Sequence, residues 1–513
     1  MRVVYLLSIF LMIINDLYPD DEITRIREAI KNEGLNWEAG ETRIFRMSPE
    51  ERRRYIMKTP PKIDYQNTNI SNLKILAQYP SKIDYRNYLG YDWMTPIRDQ
   101  KSCGSCWAFS TLGSLEAIIK LYNSDPNMDI DLSEQELISC TATGSCAYGG
   151  SQLFAANYIK ASGITDESCF PYIAQEGDCK NRCQNPKIRE YLKDAGTIGF
   201  FSIAGEEDIK SALIKYGPIP TSMKVYSDFY SYKGGVYQKT SNATEEGWHA
   251  IVFVGWDDSK NAWLCKNSWG DDFGEKGYFW IKKGDSFIGW GSEYIVYKDD
   301  LKPRLCSNPS EISITINLNE RTRQDFELEV FNCGSWVFEW SGFTNDTFLQ
   351  LIDTSGVAIK VPNKIKGYVD ASMLSTGSYT SYVNIKSDVA ENSPLMIPIR
   401  ITVIKKEILD AGTDIESSDI VTDTYIGQDK GIEEDTTSSD SNPDILILDD
   451  YLDISSPESD ANYADGNFLD QPNTDAELIR DIVVDSSAVS DVISDSNDNN
   501  SDSSGCSCSL IQN

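Results

Sequence analysis

A thiol is the side chain most readily turned into a nucleophile at neutral pH, since the thiolate and not the thiol attacks. In this 513-residue sequence one cysteine stands out by its neighbours: Cys106, in Gln100-Lys-Ser-Cys103-Gly-Ser-Cys106-Trp107-Ala-Phe-Ser110, followed by Thr111-Leu-Gly-Ser-Leu-Glu-Ala-Ile-Ile-Lys. The second stretch reads as an amphipathic helix. A helix beginning at Cys106 sets the thiol against unpaired backbone N–H groups and the positive end of the helix dipole, which lowers its pKa. Acyl transfer also needs a base to carry a proton to the leaving amine, and the sequence contains a single histidine, His249, 143 residues further on. Asn267, 18 residues after it, can orient the imidazole. Gln100 can offer its side-chain N–H to a developing oxyanion together with the backbone N–H of Cys106. Nucleophile, base, orienting group and oxyanion donor are therefore all present.

Other chemistries fit less well. Cys103 and Cys106 alone have the spacing of a redox pair or half a zinc site, but a redox pair leaves Gln100, His249 and Asn267 unexplained. With one histidine a multi-histidine metal site is impossible, so neither metal nor cofactor is expected. A formal charge of −32 argues against a nucleic-acid partner, which calls for a surplus of Lys and Arg.

The motif Cys103-Gly-Ser-Cys106-Trp107 resembles that of the papain-like cysteine peptidases. The likeness continues through Leu132-Ser-Glu-Gln-Glu-Leu-Ile-Ser-Cys140, Cys146-Ala-Tyr-Gly149-Gly150, Trp248-His249-Ala250, Lys266-Asn267-Ser268-Trp269-Gly270 and Gly277-Tyr-Phe-Trp-Ile, from about residue 82 to 298. It implies an α+β, two-lobe fold: a helical lobe carrying Cys106 and a β-barrel-like lobe carrying His249 and Asn267, with substrate between them. Trp269 would shield the His249–Asn267 hydrogen bond from water. Gly149, Gly150 and Ala250 would contact substrate, and Glu293 would fall near the floor of the main specificity pocket and favour basic side chains. The likeness pairs Cys103 with Cys146 and Cys140 with Cys179; Cys169 and Cys183 are taken as a third pair, which leaves Cys106 free. Cys265, in Trp263-Leu-Cys, reads as a buried thiol. The sequence departs from the family at Trp248, where many relatives carry Asp, which removes a carboxylate near the histidine. It also has two residues, Ala147 and Tyr148, between Cys146 and the glycine pair. No histidine-rich blocking loop is present, which favours an endopeptidase.

The elements that must hold these residues occupy the middle of the chain. Residues 1–17, an Arg and then an apolar run from Val3 to Ile14, have the length of a signal-peptide core and are too short to span a bilayer. Residues 18–81 are charged and helix-prone, with too few apolar side chains for a core of their own. The resemblance makes them a propeptide that blocks the cleft, with Trp37-Glu-Ala-Gly-Glu-Thr42 as the inhibitory piece and a cut between about Pro60 and Lys82 or at Arg52-Arg53-Arg54. The peptidase would span 82–300. Residues 303–406 alternate with period two in short runs such as Ile312-Ser-Ile-Thr-Ile, which predicts an all-β sandwich, Ig-like in kind, with Cys306 and Cys333 bridged. Residues 407–513 hold 27 acidic and two basic side chains and read as a disordered acidic tail ending in Cys506-Ser-Cys508. The expectation is a secreted or cell-surface, monomeric cysteine endopeptidase, made as a zymogen, acting on proteins or peptides, without a transmembrane helix. The rival from another class is an extracellular adhesive protein with a dead peptidase-like domain; a third reading is transpeptidation.

Overall fold

The computed structural model describes residues 19–62, 69–70, 78–142, 144–199, 202–299 and 301–406. The expected signal peptide and acidic tail lie outside them. Among the described residues no helix is long and apolar enough to cross a membrane.

The element that organises residues 19–299 is strand β6, Glu245–Asp257 (after β1 Trp37–Ala39, β2 Lys82–Asp84, β3 Asp194–Thr197, β4 Ile219–Tyr226 and β5 Tyr232–Tyr237). Its run Trp-His-Ala-Ile-Val-Phe-Val is buried on both faces, which is why it reads as continuous and not alternating. It pairs antiparallel with β4 along its first part, with β7 (Ala262–Lys266) along its second and with β2 at its end. β7 pairs with β8 (Tyr278–Lys282), β8 with β5 and β5 with β1, so the sheet curls from one neighbour to the next. Where β2 passes β6, a Cβ on Gly255 would meet the Ile83 carbonyl oxygen at 2.0 Å, so only glycine lets the strands approach.

Helix α3, Cys106–Tyr122, lies against this sheet; α1 (Pro19–Glu33) and α2 (Pro49–Arg52) precede it. The expected amphipathic helix is instead buried from Cys106 to Leu121. Its hydroxyls register it on the strands: Ser110 Oγ donates to Ile251 O at 2.6 Å and Ser114 Oγ to Pro218 O at 2.5 Å. The polar residues that made the sequence look two-faced are paired internally. Glu116 accepts from Thr95 Oγ1 and Leu132 N, and Lys120 donates to Met94 O. Helices α4 (Glu134–Cys140) and α5 (Gln152–Ser162) complete that side, and α6 (Glu206–Tyr216) packs beside β4 and β9 (Glu293–Val296). Disulfides join Cys103 to Cys146, Cys140 to Cys179 and Cys169 to Cys183; among the described residues Cys106 and Cys265 are free and buried.

The N-terminal segment contributes to the same cores. Ile23, Ile30, Trp37, Ile44, Phe45, Tyr55 and Ile56 are buried with Trp256, Phe229 and Trp269. Strand β1 extends the curled sheet at β5, and Thr42 Oγ1 donates to Tyr230 O at 2.5 Å. α2 is held by a reciprocal cap, in which Ser48 Oγ accepts from Glu51 N and the Glu51 carboxylate from Ser48 N.

Residues 305–404 form two sheets around one apolar core: β10 (Leu305–Asn308), β12 (Arg323–Asn332), β16 (Asn363–Asp370) and β14 (Leu349–Leu351) in one, β11 (Ile312–Asn317), β18 (Leu395–Ile404), β17 (Gly377–Lys386), β13 (Phe338–Thr344) and β15 (Ser355–Ala358) in the other. β11 runs parallel to β18, so the pairing is mixed and not wholly antiparallel. Cys306 and Cys333 are bridged. Two loops of this region reach α3 and its surroundings: Trp336 N–H donates to Tyr122 O at 3.0 Å, Lys360 N–H to Ser124 O at 2.8 Å, and Trp336, Val337 and Ile359 join the core that contains Leu121 and Leu213.

Candidate active site

Cys106 opens α3, whose N-cap Ser105 makes no side-chain cap, so the first-turn N–H groups remain available to the sulfur. The sulfur also accepts from Ala250 N at 3.4 Å. Ala250 follows His249 on β6, which brings the histidine strand to the helix start. His249 Nε2 lies 2.7 Å from Asn267 Oδ1, and Asn267 sits just beyond the end of β7, the neighbour of β6. The Trp269 ring lies 4.6 Å from the imidazole, centroid to centroid, and is itself wholly buried, stacked on Tyr230 at 5.7 Å. Five of the sequence-derived residues, Cys106, His249, Ala250, Asn267 and Trp269, are thus linked in one chain of contacts from helix, strand and loop. With Nε2 engaged by Asn267, the buried Nδ1 of His249 has no hydrogen-bond partner.

Gln100 is buried next to them. Its Nε2 donates to Cys103 O at 2.8 Å and to Tyr55 O at 3.1 Å, while its Oε1 accepts from Ser268 Oγ at 2.8 Å. Tyr172, which sequence reasoning missed, holds this corner: its hydroxyl donates to Gln100 O and sits 2.7 Å from Ser105 Oγ. No local pattern marks Tyr172, since its partners are 72 and 67 residues away.

The cleft is occupied by the chain itself. Met57 exchanges both backbone hydrogen bonds with Trp248, at 2.6 and 2.8 Å, and is buried among Cys106, Trp107 and Ala250. Gly149, at φ +84°, faces it so closely that a Cβ would lie 2.4 Å from Met57 Cγ. Further on, Lys62 O accepts from Ser151 Oγ at 3.2 Å. This corrects the expected blocking piece: of Trp37–Thr42 the first three residues form edge strand β1, and Tyr55–Lys62 fills the cleft. Short alternating stretches such as Trp37-Glu-Ala look like a strand in isolation, whereas an extended peptide held in a groove has no period of its own.

Occupation has an electrostatic consequence. Burial pushes the Cys106 thiol up to about 12, against the backbone N–H groups of Ala250, Trp107 and Cys106 that favour the thiolate. Burial likewise pulls His249 down to about 4, opposed by the bond to Asn267. The expected lowering of the Cys106 pKa is therefore overturned in this state, because desolvation outweighs the helix terminus. Glu293 lies on β9 with its carboxyl buried, accepting from Leu153 N in the first turn of α5 and with Oε2 unpartnered; burial raises its pKa well above 4.5. Gly150 packs on the Trp107 ring, where a Cβ would come within 2.5 Å. Behind Asn267, Lys266 donates to Thr95 O and Oγ1, with its pKa drawn down to about 8 by burial against the pull of Glu116 and Glu134. Among the described residues no cluster of three His, Cys, Asp or Glu side chains is placed to hold a metal ion.

A family model described as "Papain family cysteine protease" matches residues 79–297. Pro-cathepsin H of Bos taurus is 33% identical over 247 residues, 47% of this chain and 70% of the relative. The chain belongs to the papain family of cysteine proteases. A cathepsin L-like proteinase of Fasciola hepatica is 35% identical over 206 residues, 39% of this chain and 59% of the relative. Among solved structures, procathepsin B S9 of Trypanosoma congolense is 23% identical with a TM-score of 0.47, covering 54% of this chain and 97% of that one. The papain-family match ends at residue 297, so the two-sheet region lies beyond it.

Proposed function

We propose that this papain-family protein is a secreted cysteine endopeptidase, made as a zymogen, in which Cys106 attacks the peptide carbonyl and His249 moves the proton. The observation that carries the reading is the His249–Asn267 bond of 2.7 Å on the strand whose next residue, Ala250, donates to the Cys106 sulfur. In the open site the thiol proton passes to His249 Nδ1, the nitrogen left free by Asn267. The thiolate adds to the carbonyl carbon, and the oxyanion takes hydrogen bonds from Gln100 Nε2 and Cys106 N. The tetrahedral adduct collapses as His249 protonates the leaving amine, giving a thioester. Water, deprotonated by His249, then attacks the thioester, releases the carboxylic acid and returns the thiol.

The closed state blocks each step. The Tyr55 carbonyl occupies the Gln100 amide, Met57 is buried in one cluster with Cys106, and both the thiol and the imidazole are held neutral by burial. Removal of the segment readmits water and lets the thiolate–imidazolium pair form. Glu293, unpartnered at Oε2 beside the start of α5, is read as the group that favours a basic side chain, becoming charged once the cleft opens. Residues 303–406 are read as an Ig-like module fixed to the peptidase.

The test is labelling of the matured protein with a peptide epoxide or vinyl sulfone, followed by mass mapping. Modification at Cys106 that vanishes in His249→Ala is expected. A folded, matured protein that stays unlabelled would instead favour the binding-protein reading.

A further inference from the structure

One cation beside the cleft has no part in this mechanism. Arg43, on the N-terminal segment, sends its guanidinium to the wall next to Gln100. Its Nη2 donates to Trp269 O at 2.7 Å and to Asp99 Oδ2 at 3.0 Å, its Nε lies 3.4 Å from Asp272 Oδ2, and its Nη1 donates to Tyr55 OH at 3.1 Å. Of these four acceptors only the Tyr55 hydroxyl belongs to the segment itself. The other three stand on the cleft wall and converge on one planar fork of donors, the geometry that distinguishes a guanidinium from an ammonium.

The wall is held by its own bonds and not by Arg43. Asp99 and Trp269 face each other across a short ladder, in which Gln100 N–H donates to Ser268 O at 2.9 Å and Gly270 N–H to Arg98 O at 3.0 Å. Asp99 Oδ1 accepts from Lys101 N at 2.9 Å, which fixes the carboxylate and leaves Oδ2 for the guanidinium. Gly270 stands at φ +86°, where a Cβ would come within 2.9 Å of Asp272 Oδ1 and 3.3 Å of Arg43 Nη2, so glycine lets both groups lie against the backbone. A lone exposed ion pair contributes little. Here two carboxylates and a carbonyl, set on a fixed ladder, read one side chain together.

The niche lies at one end of the groove. The segment passes Tyr55, whose carbonyl accepts from Gln100 Nε2, then Met57 beside Trp248, and reaches Ser151 at Lys62. Arg43 fills the Tyr55 end, away from Gly149-Gly150 and Ser151. When the segment leaves, Asp99 Oδ2, Asp272 Oδ2 and Trp269 O lose their donor together, beside the residue that takes the oxyanion.

We propose that Asp99, Asp272 and the Trp269 carbonyl form a guanidinium-binding subsite, which Arg43 fills in the closed chain and an arginine side chain of a peptide substrate fills in the open one. The substrate half rests on the cysteine-peptidase reading; the binding half does not.

The binding half is tested in the full chain by hydrogen exchange of the Met57 and Trp248 amides, which needs no catalysis. Arg43→Gln is expected to speed exchange about tenfold, the worth of a charge-assisted contact, and Asp99→Asn to act in the same direction. Combining them should add little to Arg43→Gln alone, because both break one pair. Full additivity, or no change in Arg43→Gln, would overturn the proposal even if Cys106 still labels. Peptides of one sequence, with arginine or its neutral isostere citrulline at successive positions on either side of the cut, are then offered to the activated chain. At one position kcat/KM is expected to be about tenfold higher for arginine, and Asp99→Asn is expected to remove that preference. Equal values at every position, or a preference that Asp99→Asn leaves intact, would overturn the substrate half. If exchange behaves as expected but no thiol labels, the subsite stands and the peptidase reading falls.

Discussion

The cleft and the two-sheet region treat their polar atoms in opposite ways. In the cleft, His249 Nδ1, Asn267 Nδ2, Trp269 Nε1 and Glu293 Oε2 are buried without partners, whereas among the described residues beyond 300 only Trp340 Nε1 is. Each such atom costs about 1–3 kcal/mol. The two-sheet region spends its burial on Ile, Val, Leu and Phe from alternating strands, a core that is stable and chemically silent. The difference teaches where function resides: a site that must later accept a proton, a substrate or a charge cannot be fully satisfied beforehand. The two regions are nonetheless joined, because Trp336 is set into the core behind α3, the helix whose other end is Cys106.

The sharpest break is chemical. Cys106→Ala should lower kcat/KM by at least about 10⁴-fold with the fold intact, and Asn267→Ala by about 10²-fold, since orientation is lost and not the base. Hydrolysis assays on matured protein check both; equal losses would mean that Asn267 does more than orient. Next comes the junction. Trp336→Ala removes a nearly buried indole and should cost about 3–5 kcal/mol. Calorimetry should show the peptidase transition lowered along with that of the sheets, and a peptidase transition that stays put would separate the regions.

Smaller still is the pH effect on closure. Burial holds His249 near 4 in the closed chain instead of 6.5; in Cys106→Ala, where no thiolate can pair with the imidazole, the opened form binds a proton below pH 6.5 that the closed form refuses. Acidification from 6.5 to 4 therefore weakens closure by up to about 3 kcal/mol. Glu293 acts oppositely: its raised pKa keeps a proton in the closed form, which weakens closure as pH rises above 4.5. Amide exchange at Met57 between pH 7 and 4 should accelerate in Cys106→Ala more steeply than in the double variant Cys106→Ala with His249→Ala; identical slopes would remove His249 from the pH response. The least effect is expected in the sheets, where Arg400 and Glu311 pair at 3.2 Å with both side chains more than half exposed. Arg400→Ala should change stability by less than about 0.5 kcal/mol by denaturant titration.

Much of the site was legible because its chemistry is tied to residue type and local spacing. A thiol at a helix start, a single histidine before an apolar strand and an asparagine after the next strand can be read from order alone. The two-sheet region was legible from period-two alternation, though not the parallel pairing of Ile312–Asn317 with Leu395–Ile404, which depends on contacts some 87 residues apart. Helix 106–122 was read as two-faced because Glu116 and Lys120 look solvated until Thr95, Leu132 and Met94 supply their partners.

By itself the sequence determined the reactive groups, their order along the chain and the kinds of element that carry them, since these follow from side-chain chemistry and from hydrophobic periods of two and of about 3.6. Tertiary structure alone decided the state of the site. Tyr55–Lys62 enters the cleft only because strands and helices distant in sequence form its walls. The resulting loss of water, a property of the assembled volume and of no single residue, raises the Cys106 pKa to about 12.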